Sequence, residues 1–321
     1  VDSSPDLTAE VRALRDRLDA QQQLLDAQRQ QIDSLQQDRD SDWLTERRRE
    51  QVKTLVRDVL SDADTRASLA EGGMTAGYRK GFFLASDDGN FLLRIKGMIQ
   101  ARYVFDHQED TADASADDNR GGFELSRTRF GFIGHVFDES WNYVIWTGYN
   151  RNGDNAFLDT YIRKDLGGGW SITAGQFKLP FYREYLVSEK SQQFVERSLV
   201  TYGFSCGYSQ GVMLTYANDW LKASAAYTDG RGQGNTAWSN EDTEWSITGR
   251  ADVKLTGDWK QYGDFESWPD EQMLFVVGGA VHAQNNEYGT TPNETDEVRW
   301  TLDASLELGG ANLFAAFVAT E

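Results

Sequence analysis

The stretch FLLRIKGMIQARYVF, residues 91–105, admits few folds. Its odd positions are Phe91, Leu93, Ile95, Gly97, Ile99, Ala101, Tyr103 and Phe105, while Arg94, Lys96, Gln100 and Arg102 fall on even positions. A period of two sends the two sets to opposite faces of a strand; on a helix they would scatter around the axis. At about 15 residues the strand is far longer than the usual 5–6. One face avoids water and the other seeks it. Two architectures satisfy that demand: a soluble antiparallel sandwich with one wet face, and a transmembrane barrel with lipid outside and water inside.

The rest of the chain separates them. The same period predicts strands near 91–105, 123–137, 141–149, 156–164, 170–179, 210–217, 220–228, 243–256, 271–283, 297–308 and 311–320. Their connectors mostly alternate between long and short. The acidic DHQEDTADASADDNRGG is followed by the tight DES, NRNGDN by DLGGG, residues 180–209 by ANDW, and 284–296 by a Gly-Gly turn. Outer-membrane barrels alternate in this way, with short turns at one end and longer loops at the other. A sandwich has no reason to. The exception is 257–270, which should be short and is not.

Composition narrows the function. A net charge of −19 disfavours nucleic acid, whose binders carry a basic footprint. One cysteine, Cys206, and three separated histidines leave no disulfide, metal site or cofactor pattern to propose. No HExxH, P-loop or GxSxG motif is present, so nothing reads as an enzyme centre. No apolar run approaches the roughly 18 residues of a spanning helix, which excludes a helical membrane protein but not a barrel. The polar start VDSSPD suits a processed N-terminus.

The first part of the chain has a different period. Val11, Leu14, Leu18, Gln21, Leu25, Gln28, Ile32 and Leu35 alternate spacings of three and four, an a/d seam over about 3.5 heptads. A multi-chain coiled coil is expected over 1–40, then a helical segment and linker over 41–89, and a β-barrel over 90–321.

Inside a barrel, the polar face collects Arg94, Lys96, Arg102, Arg127, Arg129 and Arg163. Cations facing lipid near the midplane would cost about 2–4 kcal/mol each, so they should line the water-filled interior and attract small anions. The competing expectation is that Asp and Glu pair with them and cancel any selectivity. The strands at 141–149 and 170–179 do not phase cleanly. Residues 180–209 lack a strand pattern yet are rich in Phe, Tyr and Leu, as a loop would be that folds back into the lumen.

The segments GQFKLPF (175–181) and SEKSQQFVERS (188–198) resemble the phosphate-selective porin O/P family, as do RTRFGFIG (127–134) and FLDTYIRK (157–164). The resemblance covers about 85–320. It implies a 16-stranded antiparallel outer-membrane barrel, usually trimeric, with the loop after FKLPF narrowing the channel. Lys178, Arg183, Lys190 and Arg197 then become constriction residues. About 11 strands are counted, so about five further strands are expected to be missing beyond Glu321, since single-chain bacterial barrels have even numbers. The function implied is passive diffusion of small hydrophilic solutes; the basic face adds a preference for anions, and specificity for phosphate over other anions is not carried over, because many acids lie close to the basic residues. The implied partners are outer-membrane lipid, small anions and two further copies of the chain, with the coiled coil in the periplasm. Two other readings exist: an envelope tether whose coiled coil binds the cell wall, and a soluble carbohydrate-binding module suggested by the ten tryptophans.

Overall fold

The structure, a computed structural model, describes residues 21–33, 53–54, 73–79, 81–107, 119–240, 243–286 and 296–321. The chain divides into two compact units, 1–73 and 74–321. In the first unit, residues 21–33 form a helix with every residue exposed. Gln21, Leu25, Gln28 and Ile32 of the expected seam lie on it, at spacings that keep them on one stripe. Val11, Leu14, Leu18 and Leu35 lie outside the described residues.

The second unit is one antiparallel sheet of 13 strands in strictly sequential order. They are β1 (Met74–Tyr78), β2 (Phe82–Ser86), β3 (Leu92–His107), β4 (Asn119–His135), β5 (Trp141–Tyr149), β6 (Asn155–Gly167), β7 (Trp170–Lys178), β8 (Tyr208–Ala217), β9 (Leu221–Thr228), β10 (Trp245–Thr256), β11 (Leu274–Asn285), β12 (Glu297–Glu307) and β13 (Asn312–Thr320). β1 and β13 are its two edges. Among the described residues no helix is long and apolar enough to cross a membrane.

The strand count corrects the sequence reading. Residues 74–86, expected within a linker, form the hairpin β1–β2, with Met74 opposite Ser86 and Tyr78 opposite Phe82. Two five-residue strands are too short for a period-two pattern to stand out from a linker. The barrel-type sheet therefore starts ahead of the expected boundary at 90.

Alternation fixes which side of the sheet is which. Ile95, Ile99 and Tyr103 of β3 are exposed, as are Phe130 and Phe132 of β4, Ile247 of β10, Val281 of β11 and Leu302 of β12. A soluble monomer rarely exposes so large an apolar surface, whereas a lipid-facing wall requires it. The opposite face carries polar groups. On β10–β12 those are buried, among them Ser246, Thr248, Arg250, His282, Arg299, Thr301, Asp303 and Glu307.

Sequential antiparallel order sends alternate connectors to opposite ends. The turns at 87–91, 136–140, 168–169, 218–220 and 308–311 share one end with the unexpectedly long connector 257–273. The DLGGG turn closes in two residues because Gly167, Gly168 and Gly169 all take positive φ, between 60° and 86°. The connector β7–β8, residues 179–207, leaves from the other end.

Candidate functional site

The β7–β8 connector begins by packing onto the inner face. Phe177, Leu179, Phe181 and Tyr182 form a buried cluster with Cys206, Ala226 of β9 and Ala280 of β11. The alanines are small, which lets the connector backbone approach the wall. Arg250 of β10 then ties the connector down. Its Nη1 donates to the carbonyl of Phe181 at 2.7 Å, and its guanidinium grips Asp303 of β12 through two bonds of 2.8 and 2.9 Å. Asp252 accepts from the same group at 2.6 Å.

The connector next meets the segment from the opposite end of the sheet. The Arg183 guanidinium lies 3.7 Å from the Tyr262 ring centroid and donates to the Tyr262 carbonyl. The Tyr262 hydroxyl donates to Asp252 at 2.9 Å, and the Phe265 amide donates to the Ser191 carbonyl at 3.0 Å. This explains why 257–270 is long: Trp259, Tyr262 and Phe265 give it an apolar side that turns inward.

Beyond Ser188 the connector reaches the other wall. Glu189 accepts from Arg129 of β4 at 2.8 Å and from Arg197 at 2.9 Å. Glu196 lies 2.5 Å from both Arg102 of β3 and Arg127 of β4. Arg102 also pairs with Glu124. Burial alone would raise the Glu189 and Glu196 carboxyls. Arg129 and Arg197 at Glu189, and Arg127, Tyr202 and Arg102 at Glu196, outweigh it, so both lie below the ordinary glutamate value of 4.5. The segment thus touches β9–β12 with one part and β3–β4 with another.

The expected site residues separate accordingly. Arg102, Arg127 and Arg129 share the inner face, and each pairs with one of the two glutamates. Arg183 and Arg197 are buried in the connector, where Arg197 donates to the carbonyls of Glu184 and Val187. Arg94 lies near the short-turn end of β3, and Arg163 lies 3.5 Å from Asp165. Lys96, Lys178 and Lys190 form no ion pair among the described residues. All three line a cavity of about 560 Å³ between the connector and the β3–β8 wall, together with Arg129 and Arg163. The Lys178 ammonium donates to the Tyr185 carbonyl at 2.8 Å and lies 5.0 Å from the Tyr185 ring.

Glu189, Glu196, Tyr262 and the Arg250–Asp303 pair are functional neighbours that residue patterns did not single out. The two glutamates stood in the sequence beside the basic residues of the loop, but their partners on β4 are 60 and 69 residues away. Only the unexpected length and aromatic content of 257–270 signalled Tyr262.

No curated protein matches the chain. A search of solved structures finds an outer membrane protein of Vibrio cholerae, OmpT lacking its loop L8, at 9% identity and a TM-score of 0.37, covering 72% of this chain and 82% of that one. The family model for phosphate-selective porin O and P matches residues 94–304, which span β3 to β12 and the whole bridging connector. By that match the chain belongs to the phosphate-selective porin O and P family of outer-membrane channels.

Proposed function

We propose that this porin is a passive diffusion channel for small hydrophilic solutes that prefers anions, inorganic phosphate among them. The β7–β8 connector sets the size limit by crossing the interior. The carrying observation is that three lysines, Lys96, Lys178 and Lys190, line one cavity beside that connector and form no ion pair among the described residues. A fixed ammonium near a low-dielectric wall concentrates anions more than one already paired. The arginines of β3 and β4 hold the connector in place instead. The exposed stripe of Leu25 and Ile32 on the 21–33 helix fits a coiled coil that joins three copies on the periplasmic side.

Reversal potential across a salt gradient tests the preference. The full-length protein in a planar bilayer should shift toward the chloride equilibrium potential. Lys96→Glu combined with Lys190→Glu should reduce or invert that shift. A cation-directed potential in the unmodified protein would end the anion reading while leaving a channel. Deleting residues 1–70 tests the coil: trimers should be lost from detergent extracts, with conductance of the inserted sheet retained.

A further inference from the structure

The cavity beside the connector is lined by basic and by apolar side chains together. Its size lies within the about 300–1,000 Å³ typical of small-molecule sites. Trp146 of β5 lines it, as do Tyr161 of β6, Phe177 of β7 and Met213 of β8. Lumen-facing residues that only pass hydrated ions have no need of these side chains. Trp146 is also supported from behind. A β-carbon at Gly131 of β4 would come within 2.5–2.6 Å of three atoms at the fused edge of the indole. The ring therefore lies face-on against a bare stretch of backbone, and its other face is turned from that wall. Gly131 is paired with Trp146 in the β4–β5 register, so the strand pairing itself fixes this arrangement.

We propose that this cavity is a binding subsite for organic anions that carry an aromatic or similarly flat apolar group. The ring stacks on Trp146, where aromatic contact adds to apolar burial. The anionic end meets Lys96, Lys178 and Lys190, whose charge-assisted hydrogen bonds suit carboxylate, sulfonate or phosphate oxygens. Asp159, which also lines the cavity, accepts a hydrogen bond from Tyr208 at 3.3 Å and disfavours a second negative charge on the solute. A monoanion with one ring fits this pattern. The inference rests on the channel reading above and narrows its solute class.

The test compares two probes of equal charge in the same bilayer: benzenesulfonate and methanesulfonate, each added to a chloride current through the full-length protein. The aromatic probe should block at about tenfold lower concentration, the factor that about 1.4 kcal/mol of extra binding gives. Trp146→Leu should bring the two probes together, and Trp146→Phe, which keeps a ring, should retain the difference. Equal block by both probes, with an anion-directed reversal potential, overturns the subsite and leaves the anion channel standing. A cation-directed reversal potential overturns the channel's anion preference and the subsite with it. Discrimination that survives Trp146→Leu also overturns it, because the ring contact would then lie elsewhere.

Discussion

The inner faces of β3–β6 and of β10–β12 obey the same alternation but are not the same surface. On β3–β6, Lys96, Arg129 and Arg163 border a cavity and stay partly exposed. On β10–β12, Thr248 and His282 are fully buried and Asp303 nearly so, beneath the β7–β8 connector and the segment around Tyr262. There His282 is held by its neighbours: Nδ1 lies 2.8 Å from the Thr248 hydroxyl, and Nε2 lies 3.0 Å from Gln284 Oε1. Alternation reports which side of the wall a residue occupies. Whether water reaches it depends on what else folds into the interior.

That difference is most sharply broken at Arg250. Its guanidinium joins β10 to β12 and to the connector while almost wholly buried. Arg250→Ala would leave Asp303 as an uncompensated buried carboxylate and take the cation from the half-buried Asp252, which keeps its bond from Tyr262. Removing one partner of a buried pair costs about 3–5 kcal/mol. Denaturant titration in detergent should show that loss as a lower unfolding midpoint. An unchanged midpoint would mean that water already reaches this wall, and the two halves would then be alike.

Tyr262→Phe acts between the halves and should have a smaller effect. It keeps the ring beneath Arg183 and removes the hydroxyl that bonds Asp252, leaving the Arg250–Asp303 pair intact. Loss of a hydrogen bond to a charged group amounts to about 1.5–3 kcal/mol. Because Tyr262 comes from the opposite end of the sheet, the expected readout is local: noisier single-channel current as the connector loosens, with the sheet's unfolding midpoint only modestly lowered.

How much of this was legible follows the range of the interactions. The period-two strands from β3 to β13 were readable because each records its own two environments. β5 and β7 were not phased, and the structure shows why. Val144, Trp146 and Phe177 face inward, where the cavity and the buried cluster make both faces apolar. The basic residues of β3 and β4 were found, but their pairing was not. Glu196 meets Arg127 across 69 positions and Arg102 across 94, through a docking that no local pattern records. Arg183 and Arg197 looked like channel-facing charges and are buried within the connector instead: Arg197 donates to two carbonyls, and Arg183 stacks on the Tyr262 ring and donates to its carbonyl.

Acidification probes the β3–β4 contact of the connector more gently than mutation. Glu189 and Glu196 titrate below their ordinary value of 4.5 because the ionised forms are held by arginines. A depressed carboxylate stabilises the folded arrangement fully above its unfolded value. That contribution fades as pH falls through the lowered folded value. Connector docking should therefore be constant from neutral pH down to about 5. Single-channel noise should rise only at more acidic pH, and Glu189→Gln should already be noisy at neutral pH. Noise that instead changes near pH 6–7 would point to a histidine rather than these two glutamates.

The smallest effect marks the exposed limit of the same comparison. Arg163 and Asp165 both belong to β6, with side chains 43% and 47% exposed, and their charges lie 3.5 Å apart. Solvent screens such a pair, and exposed ion pairs contribute about 0–1 kcal/mol. Asp165→Asn should leave the unfolding midpoint within error, in contrast to Arg250→Ala. Its effect should appear in permeation instead. Freed of its carboxylate neighbour, Arg163 adds to the positive potential of the cavity it lines, and the reversal potential should move slightly further toward chloride. A stability loss comparable to that of Arg250→Ala would show that β6 is as dry as β10–β12, and that cover by the connector is not what distinguishes the two walls.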